Sequence, residues 1–100
     1  AVRAMIAAAG DAGTEVMLVT PLVPCNHMGT KRIPAYREVL LELAAEENVA
    51  CADVQQAWTD LARQGIPPFT QLHNCCNHPG TFGMKVYADT ILRFFERTRP

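Results

Sequence analysis

The chain has 100 residues, 49% of them hydrophobic and 19% charged, and a formal net charge of -1. That length allows one domain at most, and the composition is that of a folded chain rather than a disordered one. The near-neutral balance gives no electrostatic basis for binding nucleic acid or an anionic membrane, and no apolar run is long enough to span a bilayer.

Val2 to Ala12 is rich in alanine and reads as a helix ending in the Gly10 to Gly13 turn. Glu15 to Thr20 is a short apolar run before Pro21, the pattern of a buried strand. Pro21 to Ile33 is a loop carrying Pro21, Pro24, Asn26 and Gly29. Pro34 suits the first turn of a helix, in which Tyr36, Val39, Leu40 and Leu43 recur at helical spacing; Asn48 ends it. Val49 to Val54 is a second short strand. Val54 to Arg63 is a short helix stopped by Gly65 and the Pro67-Pro68 pair. Phe69 to Pro79 is a second loop. Thr81 is placed to cap a last helix reaching about Arg97, with Phe82, Val86, Ile91, Phe94 and Phe95 as its apolar face. Tyr36, Trp58 and Phe69 read as packing residues, and Asp53 and Asp60 as a helix cap or a solvated face.

The succession of helix, strand, helix, strand, helix, helix contains one βαβ unit, so the two strands should run parallel with a right-handed crossover. Parallel sheets are covered on both faces and average about five or six strands. Two strands are too few for these helices, so part of the sheet is expected to come from elsewhere. Ligands of such sheets bind beyond the carboxyl ends of the strands, where the Pro21 to Ile33 loop falls.

Two residue groups can carry chemistry. His78 precedes a proline, in a loop, directly upstream of an amphipathic helix. Histidine is the usual proton shuttle near neutral pH, and Pro79 narrows the conformations open to His78. The other group is a possible metal set, Cys25 and His27 in the first loop with His73, Cys75 and Cys76 in the second. Thiolates and imidazoles suit zinc, but the chain has no Cys-x-x-Cys and Cys-x-His is not a usual zinc spacing. The adjacent pair Cys75-Cys76 is poorly placed to bond to itself, so two disulfides, free thiols and a metal site all stay open.

The stretch Asn77 to Ala88 resembles the end of the SGNH (GDSL-type) hydrolases. That family closes on Asp-x-x-His-Pro-x-x-x-Gly-His-x-x-Tyr-Ala, matched here at His78, Pro79, Gly83, Tyr87 and Ala88. The likeness extends back through Met17 to Pro24 and through Ala35 to Trp58. It implies an α/β chain forming the C-terminal part of a three-layer α/β/α sandwich with a parallel, flavodoxin-like sheet, incomplete here. It also implies an ester hydrolase working by serine acyl transfer on an acyl or acetyl ester, carbohydrate esters among them, with no cofactor. His78 would be the base, and residues 1–100 would be a single partial domain. The chain contains no serine, so the nucleophile and the oxyanion hole would lie in sequence preceding this portion.

Two positions depart from the pattern. The aspartate three residues before the histidine is Cys75, and the histidine after Gly83 is Met84. The aspartate orients the imidazole, so its loss bears on activity. Asn74 and Asn77 fit a variant of the motif, and Asn74, Cys75 or a backbone carbonyl is then the candidate for orienting the ring. The rival readings are a catalytically dead relative and a non-catalytic metal- or partner-binding α/β module.

Overall fold

A computed structural model describes residues 1–24, 32–74 and 77–95. The elements in chain order are α1 (Val2–Asp11), β1 (Met17–Val19), α2 (Ile33–Glu47), β2 (Ala50–Ala52), α3 (Val54–Arg63) and α4 (Thr81–Leu92). A short 3-10 helix, Pro68–Gln71, precedes the second loop, and another, Arg93–Phe95, follows α4.

The strands pair in parallel with Met17 opposite Ala50, Leu18 opposite Cys51 and Val19 opposite Ala52. Each is three residues long, shorter than the apolar runs that contain them. A strand extends only as far as a partner offers ladder bonds, and the Thr20 amide, donating to the Ala52 carbonyl at 3.0 Å, makes the last one. No other strand flanks the pair among the described residues.

Helix ends follow local chemistry. α1, α2 and α3 stop at Gly13, Asn48 and Gly65, with φ of 74°, 53° and 93°. At each, the next residue's amide reaches back to a carbonyl in the last turn: Thr14 to Ala9 at 2.9 Å, Val49 to Ala44 at 3.0 Å and Ile66 to Leu61 at 2.9 Å. This left-handed closure pairs carbonyls that a helix end otherwise leaves open, and glycine and asparagine enter it at least cost. Asp53 caps α3, its carboxylate accepting from the Gln56 amide at 3.2 Å.

The start of α4 differs from expectation. Gly80, not Thr81, is the N-cap residue, no side chain caps the helix, and Thr81 is already its first helical residue. The Gly80 amide donates to the Gln71 carbonyl at 2.8 Å, which ties the boundary to the 3-10 helix.

The main core is Val54, Trp58 and Leu72, with Leu22, Val23, Val86 and Tyr87 packed on it. Trp58 meets Tyr87 edge to face, centroids 6.5 Å apart. Ile6, Leu43, Ala44 and Ala52 are buried where α1 and α2 cover the sheet. The apolar face assigned to α4 is only partly inward. Val86 and Ile91 are half-buried, whereas Phe82, Phe94 and Phe95 are exposed. Gly83, Val86 and Tyr87 face the core, and Phe82 lies a residue off that stripe. Tyr36, Val39 and Phe69 are exposed rather than packed, and only Trp58 of the three expected packing aromatics is buried. The molecule is a slab of 40 × 38 × 20 Å, with apolar side chains on its open faces.

Candidate active site

The loop between the Pro68–Gln71 3-10 helix and α4 is closed at its neck. Leu72 and Pro79 form an antiparallel bridge, and the His73 amide donates to the His78 carbonyl at 2.7 Å. Leu72 is 6% exposed and belongs to the cluster on which Leu22 and Val23, which follow β1, pack. The loop therefore sits at the carboxyl end of the sheet, where ligands of parallel sheets bind. α4 supplies its base. A Cβ at Gly83 would stand 3.1 Å from both Pro79 Cβ and Trp58 Cζ2 and closer still to the Gln71 carbonyl. Only glycine lets the helix approach the loop this closely.

Within the loop, Asn74 organises the backbone. Its Oδ1 accepts from the Asn77 amide at 2.9 Å and from the His78 amide at 3.0 Å. Its Nδ2 donates to Asn77 Oδ1 at 3.0 Å. His78 is exposed, and its Nδ1 lies 2.7 Å from Asn77 Oδ1 and 2.9 Å from Asn74 Nδ2. Nε2, on the far side of the ring, makes no hydrogen bond among the described residues. The ring is thus gripped on one edge and open on the other, the arrangement a general base requires.

Of the expected site residues, the structure brings Asn74 and His78 together and adds Asn77, which makes the shortest contact to the ring. Its side chain lies beside His78 in sequence, and in the folded loop its Oδ1 meets both Asn74 Nδ2 and His78 Nδ1. Cys75, proposed for orienting the ring, lies outside the described residues. So do Cys25, His27 and Cys76 of the metal set; the remaining member, His73, is exposed. Among the described residues, no three metal-binding side chains group together.

A second polar cluster joins the ends of the two strands. Asp53 accepts from the Thr20 hydroxyl at 3.0 Å and from Arg37 Nη2 at 2.6 Å, and the Thr20 hydroxyl oxygen accepts from the Gln55 amide at 3.0 Å. Arg37 also donates from Nε to both Asp53 oxygens at 3.0 Å. Burial pushes the Asp53 carboxyl up, but the bonds from Arg37, the Gln56 amide and Thr20 outweigh it and hold it below the ordinary carboxylate value. Asp53 is thus fully engaged in structure, which agrees with its reading as a cap. Arg37 escaped the sequence reading because it is one of several charges on α2, and nothing local announces a partner sixteen residues away.

Grooves beside α3 and α4 lie elsewhere. One of about 380 Å³ is lined by Cys51, Asp53, Ala57, Thr90, Arg93 and Phe94, with Gln56 and Asp60, and His78 borders neither it nor its neighbour between α3 and α4. Burial first, and then the Asp53 charge, raise the Cys51 thiol above its usual pKa, so it is a poor nucleophile.

These elements make an α/β chain that matches the C-terminal part of an SGNH-like fold. No protein-family model and no curated protein matches the chain. Solved structures do. Axe2, an acetylxylan esterase from Geobacillus stearothermophilus, superposes with a TM-score of 0.79 at 20% identity, over 97% of this chain and 45% of that one. A point mutant of Axe2, described as an acetyl-xylooligosaccharide esterase, gives 0.79 at 24% identity over 98% and 47%. A catalytic mutant of Axe2 with a histidine changed to alanine gives 0.78 at 20% identity over 97% and 45%. The chain spans about half the length of the structures it matches, and at these identities the likeness is one of fold. No helix among the described residues is long and apolar enough to cross a membrane.

Proposed function

We propose that residues 1–100 are the histidine-bearing, C-terminal portion of one SGNH-type ester hydrolase domain, with His78 as its general base and an acetyl or other acyl ester, a carbohydrate ester among them, as substrate. The observation that carries this reading is His78 held by Nδ1 at the carboxyl end of a parallel sheet, with Nε2 open. The fold of acetylxylan esterases, two of them catalytic mutants in which a histidine or a serine is replaced, supports it.

In the reaction, Nε2 takes the proton of a serine hydroxyl as its oxygen attacks the ester carbonyl. The tetrahedral intermediate collapses to the acyl-serine, and the imidazolium returns the proton to the departing alcohol. Water then repeats the sequence, giving up a proton to Nε2 and releasing the acid. The serine and the oxyanion donors belong to the remainder of the domain, since this chain contains no serine.

The test is the whole enzyme, expressed from the gene with its preceding sequence, on p-nitrophenyl acetate and on acetylated xylo-oligosaccharides. His78→Ala should lower kcat by about 10³-fold or more, in the range general-base loss produces. Unchanged turnover in that variant removes His78 from the chemistry. A wild-type enzyme without ester hydrolysis favours the inactive relative instead, for which the cysteine in place of the usual aspartate is the motive.

A further inference from the structure

The open question in the loop is what decides which nitrogen of His78 carries the proton. A general base must present the Nε2 lone pair, so the neutral ring must hold its proton on Nδ1. In most arrangements of this kind a carboxylate accepts from Nδ1–H, and none is within hydrogen-bond reach of His78 among the described residues.

We propose that Asn77 and Asn74 are positioning residues that act as a two-amide relay, with Asn77 Oδ1 accepting the His78 Nδ1 proton and Asn74 fixing Asn77 in the orientation that allows it. The inference rests on the catalytic reading of His78 and adds what sets its tautomer.

The order of constraint runs outward from the backbone. Two amides, of Asn77 and His78, converge on one atom of the Asn74 side chain at 2.9 and 3.0 Å. Amide N–H groups donate and never accept, so that atom is Oδ1. The other end of Asn74 is therefore Nδ2, a donor. It lies 3.0 Å from the Asn77 side chain, so the Asn77 atom facing it must accept and is Oδ1. That oxygen lies 2.7 Å from His78 Nδ1. Two acceptors at this distance repel, so Nδ1 carries the proton. Asn77 Oδ1, with two lone pairs, takes both donors. The Nε2 lone pair is left free.

The 2.9 Å approach of Asn74 Nδ2 to His78 Nδ1 argues the other way if read alone, because a donor there would call for a bare Nδ1. The same Nδ2 already donates to Asn77 Oδ1, and the three atoms form a triangle. Only one of the two contacts to Nδ1 can be a hydrogen bond in a given tautomer. The shorter is that to Asn77 Oδ1, and it satisfies every atom of the triangle. The competition gives the proposal its sharpest consequence. Without the Asn77 oxygen, Asn74 Nδ2 is the group among the described residues that faces Nδ1, and the proton should move to Nε2, the wrong side for catalysis.

The tautomer is read directly from the His78 ring 15N shifts in the whole enzyme, assigned by their loss in His78→Ala, at roughly pH 8.5, about two units above the ordinary histidine range. Native chain should show His78 chiefly as Nδ1–H. Asn77→Asp, which keeps an acceptor at that place, should preserve it. Asn77→Ala should invert it to chiefly Nε2–H, with the exposed His73 ring as an internal reference and Trp58 fluorescence reporting that the fold is intact. A native His78 chiefly in the Nε2–H form overturns the relay whatever the variants do. So does an Asn77→Ala chain that is folded and keeps Nδ1–H. In the whole enzyme, Asn77→Ala should lower kcat by about 10²-fold with little change in KM, and Asn77→Asp should recover most of the loss. If His78→Ala leaves turnover intact, the catalytic reading fails while the tautomer result stands; if the native tautomer is Nε2–H, the relay fails while His78 can still be shown to be essential.

Discussion

Gly83 lies against the carbonyl of Gln71 so closely that a Cβ on it would overlap that oxygen, with Trp58 Cζ2 and Pro79 Cβ each 3.1 Å away. The same carbonyl accepts the Gly80 amide at 2.8 Å, so the contact joins α4, the 3-10 helix and the neck of the His78 loop. Two effects oppose each other in Gly83→Ala. Alanine favours a helix interior over glycine by about 1 kcal/mol. Overpacking a closed site costs about 1–3 kcal/mol, more where the neighbour is backbone and cannot turn aside. The overlap should win, and Gly83→Ala should lower stability by about 1–2 kcal/mol, read by urea unfolding. A gain in stability means that α4 does not sit against the loop as described.

Asp53 makes stability depend on pH at the acid end. Its carboxyl titrates below the ordinary value of 3.8 in the folded chain, so the unfolded chain binds its proton first as pH falls. Its contribution is whole above the unfolded value, declines as pH drops below about 4, and is gone once pH passes the folded value. Arg37→Met removes the main bond that lowers it, and should flatten the fall of stability below about pH 4 relative to wild type. Asp53→Ala loses both the cap and the partner of Arg37, and should cost about 2 kcal/mol at neutral pH. Parallel acid limbs in wild type and Arg37→Met would show that the Arg37–Asp53 pair does not form.

Gln71 is fully buried, and neither end of its side-chain amide has a hydrogen-bond partner among the described residues; Trp58 Nε1 is in the same position. A buried polar group without a partner forfeits its hydration for nothing, at about 1–3 kcal/mol. Methionine has nearly the shape of glutamine and no amide to desolvate. Gln71→Met should therefore be neutral or stabilising, by up to about 2 kcal/mol, with Tm rising accordingly. A loss of more than about 1 kcal/mol would place a partner on the Gln71 amide that outweighs its desolvation.

The parts of this fold that were legible in the sequence are those set within a few residues. Asn48 and the glycine at 65 mark helix ends because left-handed closure is a local requirement, and Asp53 reads as a cap because its carboxylate meets the Gln56 amide three residues on. The parallel pairing followed from a helix lying between two apolar runs. What failed depends on distant partners. An amphipathic stripe says that a side chain is apolar, not that something covers it, so Phe82, Phe94, Tyr36 and Val39 were assigned to packing and stand exposed. Arg37 and Asp53 are brought together by the crossover between the strands, which no local signal encodes. In the proposed site, the motif pointed to His78, but the contact of Asn77 with its ring came only with the folded loop, whose neck the bond from the His73 amide to the His78 carbonyl closes.

The same geometry predicts what the 100-residue chain does alone. In the proposed role His78 is a base, but a base needs a nucleophile, and the chain has no serine. The other described groups are poor substitutes. Burial and the nearby Asp53 raise the Cys51 thiol, and burial, against a hydrogen bond from the Leu22 backbone, raises the Tyr87 phenol, so both stay protonated near neutral pH. The chain should therefore show no saturable hydrolysis of p-nitrophenyl acetate above a His78→Ala control. Saturable turnover that His78→Ala abolishes would mean that a nucleophile within these residues reaches Nε2. Loss of that turnover in Cys75→Ala would then identify a thiol as the attacking group and replace serine acyl transfer with a cysteine mechanism.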